Sequence, residues 1–235
     1  MLFKKFFELK KLNEKTIIIS IGILSAIFTS MFLHEFNSDF AGAKYDSQFY
    51  LNMFDLIEAN KSIVNVTSYE VASSPIFVHA IGWFLLLFGS LSNVVLSVIY
   101  LAMALGSLIF FEKLISKAQL NIKILLTIIF CGSGYFVSPM WNPTSDTPMI
   151  LMLIISIYSF NNSKRKLFAF SLFLLVSTRQ NFGWLLLVYF ILDLYALLKY
   201  RKIIFRDFFL TYLFPLLWLF MTFSYFNYHL DRKST

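Results

Sequence analysis

Three short polar stretches interrupt an otherwise apolar chain, and each carries a residue able to do chemistry. AGAKYDSQFYLNMF (41–54) holds Lys44 and Asp46, SPMWNPTSDTPM (138–149) holds Asp146, and STRQNFG (177–183) holds Arg179 and Gln180. A carboxylate can take the proton of a hydroxyl as a general base. A guanidinium presents a fork of donors that matches a phosphate or a carboxylate. Either charge in apolar surroundings is costly unless paired, which makes it a functional candidate. Each residue also has a plainer reading. Asp46 and Asp146 both stand where a helix begins and suit an N-cap. Arg179 could snorkel to lipid headgroups.

Other polar residues add little independent signal. The histidines are His34, His79 and His229, with no HxxxH or HExxH spacing, so a histidine metal site has no support. His79 could hydrogen-bond a substrate, and it is equally a satisfied polar residue on a helix. No GxGxxG, phosphate-binding loop or nucleophile elbow occurs, so soluble nucleotide chemistry is unsupported. The single cysteine, Cys131, excludes an intramolecular disulfide and reads as a small packing residue.

The elements that must position these groups are set by composition. The chain has 235 residues, is 58% hydrophobic and only 14% charged. Soluble domains are about 25% charged, so the expectation is an all-α, polytopic membrane bundle. Apolar runs lie at roughly 16–33, 93–111, 122–140, 147–161, 167–180, 182–198 and 208–228, which makes about seven spans. An eighth run, 75–90, starts at Pro75 and ends near Gly89, and suits a re-entrant or interfacial helix. Residues 46–59 read as an amphipathic helix, with Phe49, Tyr50, Met53, Phe54 and Ile57 on one face. Asp46 projects onto that apolar side. No repeat or low-complexity linker divides the chain, so residues 1–235 read as one membrane domain.

Loop charge orients it. If 75–90 does not cross, fifteen of the twenty basic residues lie on the side of the leader 1–15 and five lie opposite. If it does cross, the division becomes eight to twelve against that arrangement. The excess of basic residues in cytoplasmic loops favours the first. The net charge of +7 is then loop charge, and no nucleic-acid partner is expected. The amino terminus is cytoplasmic, the first run is an uncleaved span, and loop 34–92 and tail 229–235 are external. Asp39, Asp46, Asp146 and Arg179 all fall on the extracytoplasmic side.

Four segments, in this order and on this side, resemble the GT-C class of integral-membrane glycosyltransferases. KYDSQFYLNMF looks like the class's YDGQFY segment after the first span. SSPIFVHAIGWFLLLFG is similar to its proline-led embedded helix. SPMWNPTSDTPMILMLIISIY resembles its second external loop, where an acid precedes the fourth span. LLVSTRQNFGWLLL looks like its basic TR(E/Q) or TK turn. Ser47 stands where glycine is usual and Gln180 where Glu is common. Relatives commonly carry more spans or a soluble domain, so a short or truncated member is implied.

The resemblance implies inverting transfer of a sugar from a polyprenyl-phosphate carrier to an acceptor hydroxyl on a glycan, lipid or protein. Asp46 is then the catalytic base. Arg179, with Lys44, stabilises the departing lipid phosphate. Asp146, Gln180, Asp39 and His79 contact substrate or orient the arginine. No cofactor is expected, and a divalent cation is not favoured because a lipid monophosphate is already an activated leaving group. The expected setting is the plasma (inner) membrane and cell-envelope polysaccharide synthesis, with membrane lipids and a possible membrane subunit as partners. The alternatives are a non-catalytic flippase or assembly subunit, or an oligosaccharide polymerase.

Overall fold

The computed structural model describes residues 2–36, 93–134, 136–137, 146–179, 182–200 and 205–225. Among these the backbone is helical, with no strand. The long helices are α1 (Leu2–Phe36), α2 (Asn93–Leu114), α3 (Leu120–Cys131), α4 (Asp146–Asn161), α5 (Arg165–Thr178), α6 (Gly183–Tyr200) and α7 (Phe205–Tyr225). The expected helices 46–59 and 75–90, and the tail 229–235, lie outside the described residues.

Local chemistry explains most boundaries. Helix α1 runs back through the basic leader to Leu2, because Lys, Glu and Leu are all good helix formers and nothing between breaks it. Helix α3 is shorter than its apolar run. It stops at Cys131, where Gly132 caps it and its N–H reaches the Ile128 carbonyl at 2.8 Å. An added Cβ on Gly132 would lie 2.6 Å from that same oxygen. Helical backbone resumes at Gly134 and is present at Phe136 and Val137, whose N–H groups bond the Ser133 carbonyl.

Helix α4 has Asp146 in its first turn, where the partial positive charge of the helix end favours an acid. Pro148 lies in that same turn, where a missing N–H costs nothing. The α4 exit is a Schellman turn. Lys164 N–H reaches back to Ser159 O at 2.8 Å and Ser163 N–H to Phe160 O at 3.1 Å. Ser163 occupies the left-handed region (φ 55°) in the position glycine usually takes. Pro215 inside α7 removes one backbone bond from that helix.

The helices alternate in direction. Asp146 at the start of α4 meets Arg179 just past the end of α5, so these two run antiparallel. Helix α2 lies along α4 in the same direction, with Gly106 against Leu151 and Phe110 against Tyr158. Helix α1 lies along α3, joined by Ser25 Oγ to Ile128 O and Thr29 Oγ1 to Gly132 O, each 3.3 Å. Close approach of these helices needs glycine: a Cβ on Gly22 would sit 2.7 Å from Leu108 Cδ1 and 3.2 Å from Cys131 Sγ. Phe168, Leu172 and Val176 of α5 form the centre of the larger core, packed on Leu186 and Tyr189 of α6 and Phe208 and Tyr212 of α7.

The surface is apolar and much of the interior is hydroxylic. Phe28, Leu198 and Phe220 are 72%, 74% and 69% exposed. Ser107, Ser156, Ser159 and Ser171 are fully buried. Their hydroxyls donate to carbonyls of their own helices, as in Ser159 Oγ to Ile155 O at 2.6 Å. Among the described residues one helix, over Asn13–Met31, is long and apolar enough to cross a membrane. Leu120–Cys131 and Asp146–Asn161 are apolar but shorter.

Candidate functional site

The turn at Arg179 follows from α5 ending. Arg179 is extended (φ −137°, ψ 109°), and its N–H still bonds the Leu175 carbonyl at 3.0 Å. This geometry turns the side chain back toward the neighbouring helix start. There its Nη2 donates to Asp146 Oδ1. Both side chains are about a quarter exposed, so the pair lies at the rim of the bundle. Asp146 thus serves two ends at once. It sits in the favourable first turn of α4 and it neutralises the arginine that closes α5.

The pair leaves hydrogen-bonding capacity unused. Arg179 Nε is buried without a partner. So are Thr147 Oγ1 and Ser177 Oγ, one residue and two residues along the chain from the ion pair. Thr147 and Ser177 are 3% and 1% exposed. Buried polar side-chain atoms without a partner are uncommon in folded proteins, and these three lie close in sequence to the two ends that the ion pair joins. An oxyanion oxygen or water would satisfy them.

Of the residues expected from sequence, Asp146 and Arg179 are brought together. Asp46, Asp39, Lys44, His79 and Gln180 lie outside the described residues. Among the described residues no three His, Cys, Asp or Glu side chains group to hold a metal ion.

A second polar centre lies at the other end of α5, and sequence reading missed it. Arg165 grips Asp193 through its two terminal guanidinium nitrogens, with Nη2 to Oδ1 at 2.9 Å. Tyr212 Oη donates to Asp193 Oδ2 at 2.8 Å. Asp193 is 1% exposed and joins α5, α6 and α7 through one carboxylate. In the sequence Arg165 reads as loop charge, and Asp193 falls inside the apolar run 182–198. The available signal was a lone acid inside that run, which is costly unless paired.

Basic side chains gather at this end. Lys113 closes α2, Lys164 and Arg165 flank the α4–α5 turn, and Lys123 near the start of α3 meets Glu14 at 3.5 Å. The Asp146–Arg179 pair is at the opposite end of the same helices. Comparison with protein-family models, curated proteins and solved structures finds no match for this chain.

Proposed function

We propose that this chain is a multi-pass membrane glycosyltransferase that moves a sugar from a polyprenyl-phosphate carrier to an acceptor hydroxyl on the extracytoplasmic face. The observation that carries this reading is the Asp146–Arg179 pair with its unsatisfied neighbours Arg179 Nε, Thr147 Oγ1 and Ser177 Oγ. An arginine held in place by an acid, with one N–H still free, is prepared to receive a phosphate oxygen without reorganising. Helix α4 adds the partial positive charge of its first turn.

Membrane residence is supported by the inverted surface. Exposed Phe and Leu surround a core with buried serines and a buried ion pair, which suits lipid as the outer solvent. The alternating helices bring the lysine-rich ends together, and the excess of basic residues there supports a cytoplasmic setting for that end. The Asp146–Arg179 end is then extracytoplasmic.

In the proposed reaction Asp46 removes the acceptor proton, the freed oxygen attacks the anomeric carbon, and the lipid phosphate departs. Arg179 stabilises the phosphate as its charge grows. Asp146 holds Arg179 and is not itself a base. Transfer from a lipid-linked sugar, measured in membranes carrying Asp46→Asn or Arg179→Ala protein, tests this. Loss of turnover by about a hundredfold or more in both folded variants is expected, the size of removing one such charge-stabilising group. Normal turnover with Asp46→Asn removes that residue as base. Lipid flipping or partner retention that changes while bond formation does not would favour the transport or assembly reading.

A further inference from the structure

Two exposed lysines at the basic end share one aromatic platform. Lys113 Nζ lies 4.7 Å above the Phe110 ring centre. Lys164 Nζ lies 5.0 Å above the Tyr158 ring and donates to Tyr158 Oη at 3.3 Å. The two rings meet edge to face at 5.6 Å and 71°. A cation, two touching rings and a second cation therefore form one continuous strip across α2 and the α4–α5 turn. Neither lysine has a salt-bridge partner among the described residues.

The strip is held in place from below. The Schellman turn fixes the Lys164 backbone through its N–H to Ser159 O. The next residue, Arg165, is clamped on Asp193. The Lys164 side chain is itself steadied by its contact with Tyr158, which lowers the rotamer freedom it must give up on binding. Beside the strip, α2 shows exposed Leu101, Leu105 and Ile109, the surface that acyl chains would cover. Unpaired cations immediately beyond an apolar face fit one partner chemistry: a phosphate headgroup whose tails lie along that face.

We propose that Lys113 and Lys164, set on Phe110 and Tyr158, form a binding site for an anionic phospholipid headgroup at the basic end of the bundle. The inference rests on the membrane reading above and is independent of sugar transfer. The site is distinct from diffuse attraction to basic loops, because each of two particular ammonium groups is seated on one of two touching rings.

The test uses the full chain reconstituted in bilayers of equal phosphatidylglycerol and phosphatidylcholine. After detergent extraction, the phosphatidylglycerol retained per protein is counted by mass spectrometry. Lys113→Gln with Lys164→Gln should lower retention about thirtyfold, on the scale of two lysines at an anionic surface. Lys117→Gln with Lys166→Gln removes the same charge from exposed lysines off the platform and should leave retention nearly unchanged. Phe110→Leu with Tyr158→Leu keeps both charges and should give an intermediate loss. Equal losses from the two lysine pairs, or retention unchanged in the first, would overturn the site. Turnover is not read, so failure of the transfer reading leaves this result interpretable.

Discussion

Removing Arg165 should destabilise the protein far more than removing Arg165 and Asp193 together. Asp193 is 1% exposed and accepts from both terminal Arg165 nitrogens and from Tyr212 Oη. With Arg165→Met, a buried carboxylate keeps only the tyrosine. Breaking such a pair from one side costs about 3–5 kcal/mol, because an uncompensated charge remains inside. Replacing both partners with apolar residues of similar size is often neutral or better. The double variant Arg165→Met/Asp193→Leu should therefore recover most of the loss. Asp193→Asn should fall between, at about 1–3 kcal/mol. Its Arg165 is 27% exposed and can turn toward water, while the charge-assisted bonds become neutral ones. Tyr212→Phe removes one hydrogen bond, and interhelical bonds in membranes average about 0.6 kcal/mol, so it should be the mildest. Reversible unfolding in lipid bicelles would give the four values. A double variant at least as damaged as Arg165→Met alone would refute the reasoning, since the cost would then lie in packing and not in stranded charge.

Four further outcomes follow, three from local geometry and one from the orientation. Gly132→Ala should cost about 1–3 kcal/mol in the same assay, since its Cβ would meet the Ile128 carbonyl, which is backbone and cannot move aside. Gly22→Ala should cost less, because the clashing atoms are the ends of the Leu108 side chain. Ser163→Gly should stabilise by about 1 kcal/mol, since glycine alone adopts φ 55° without steric penalty, and a raised melting temperature would show it. In a Cys131→Ser background, a cysteine at Lys117 should be shielded from a membrane-impermeant thiol reagent in intact cells. One at Asn181 should react, and the reverse pattern would invert the orientation.

Much of the helical layout was legible in sequence because apolar runs and their breakers are local properties. The expected run 147–161 differs by one residue from Asp146–Asn161, since Pro148 and the Asn-Ser turn bound it directly. The apolar run 122–140 is interrupted in the structure after Cys131. Hydropathy continues past Cys131, but Gly132 ends the helix, and a hydropathy pattern does not register a cap. Asp146 and Arg179 were both singled out as polar residues at helix ends, and their mutual contact was one of several pairings left open.

The sequence by itself determined the helical class, the apolar surface, the clustering of basic residues in alternate loops and the identity of the charged residues at helix ends. These are one-dimensional facts: hydrophobicity, period and charge along the chain. Only the tertiary structure decided which charges meet. Arg165 and Asp193 are far apart in sequence, and Tyr212 lies on a third helix. Their union depends on how α5, α6 and α7 rotate about their axes, and rotation is set by packing of Phe168, Leu172 and Tyr189. The same holds for Thr147 and Ser177. As letters they are ordinary helix-end residues; only burial against neighbouring helices removes the water that would otherwise satisfy them.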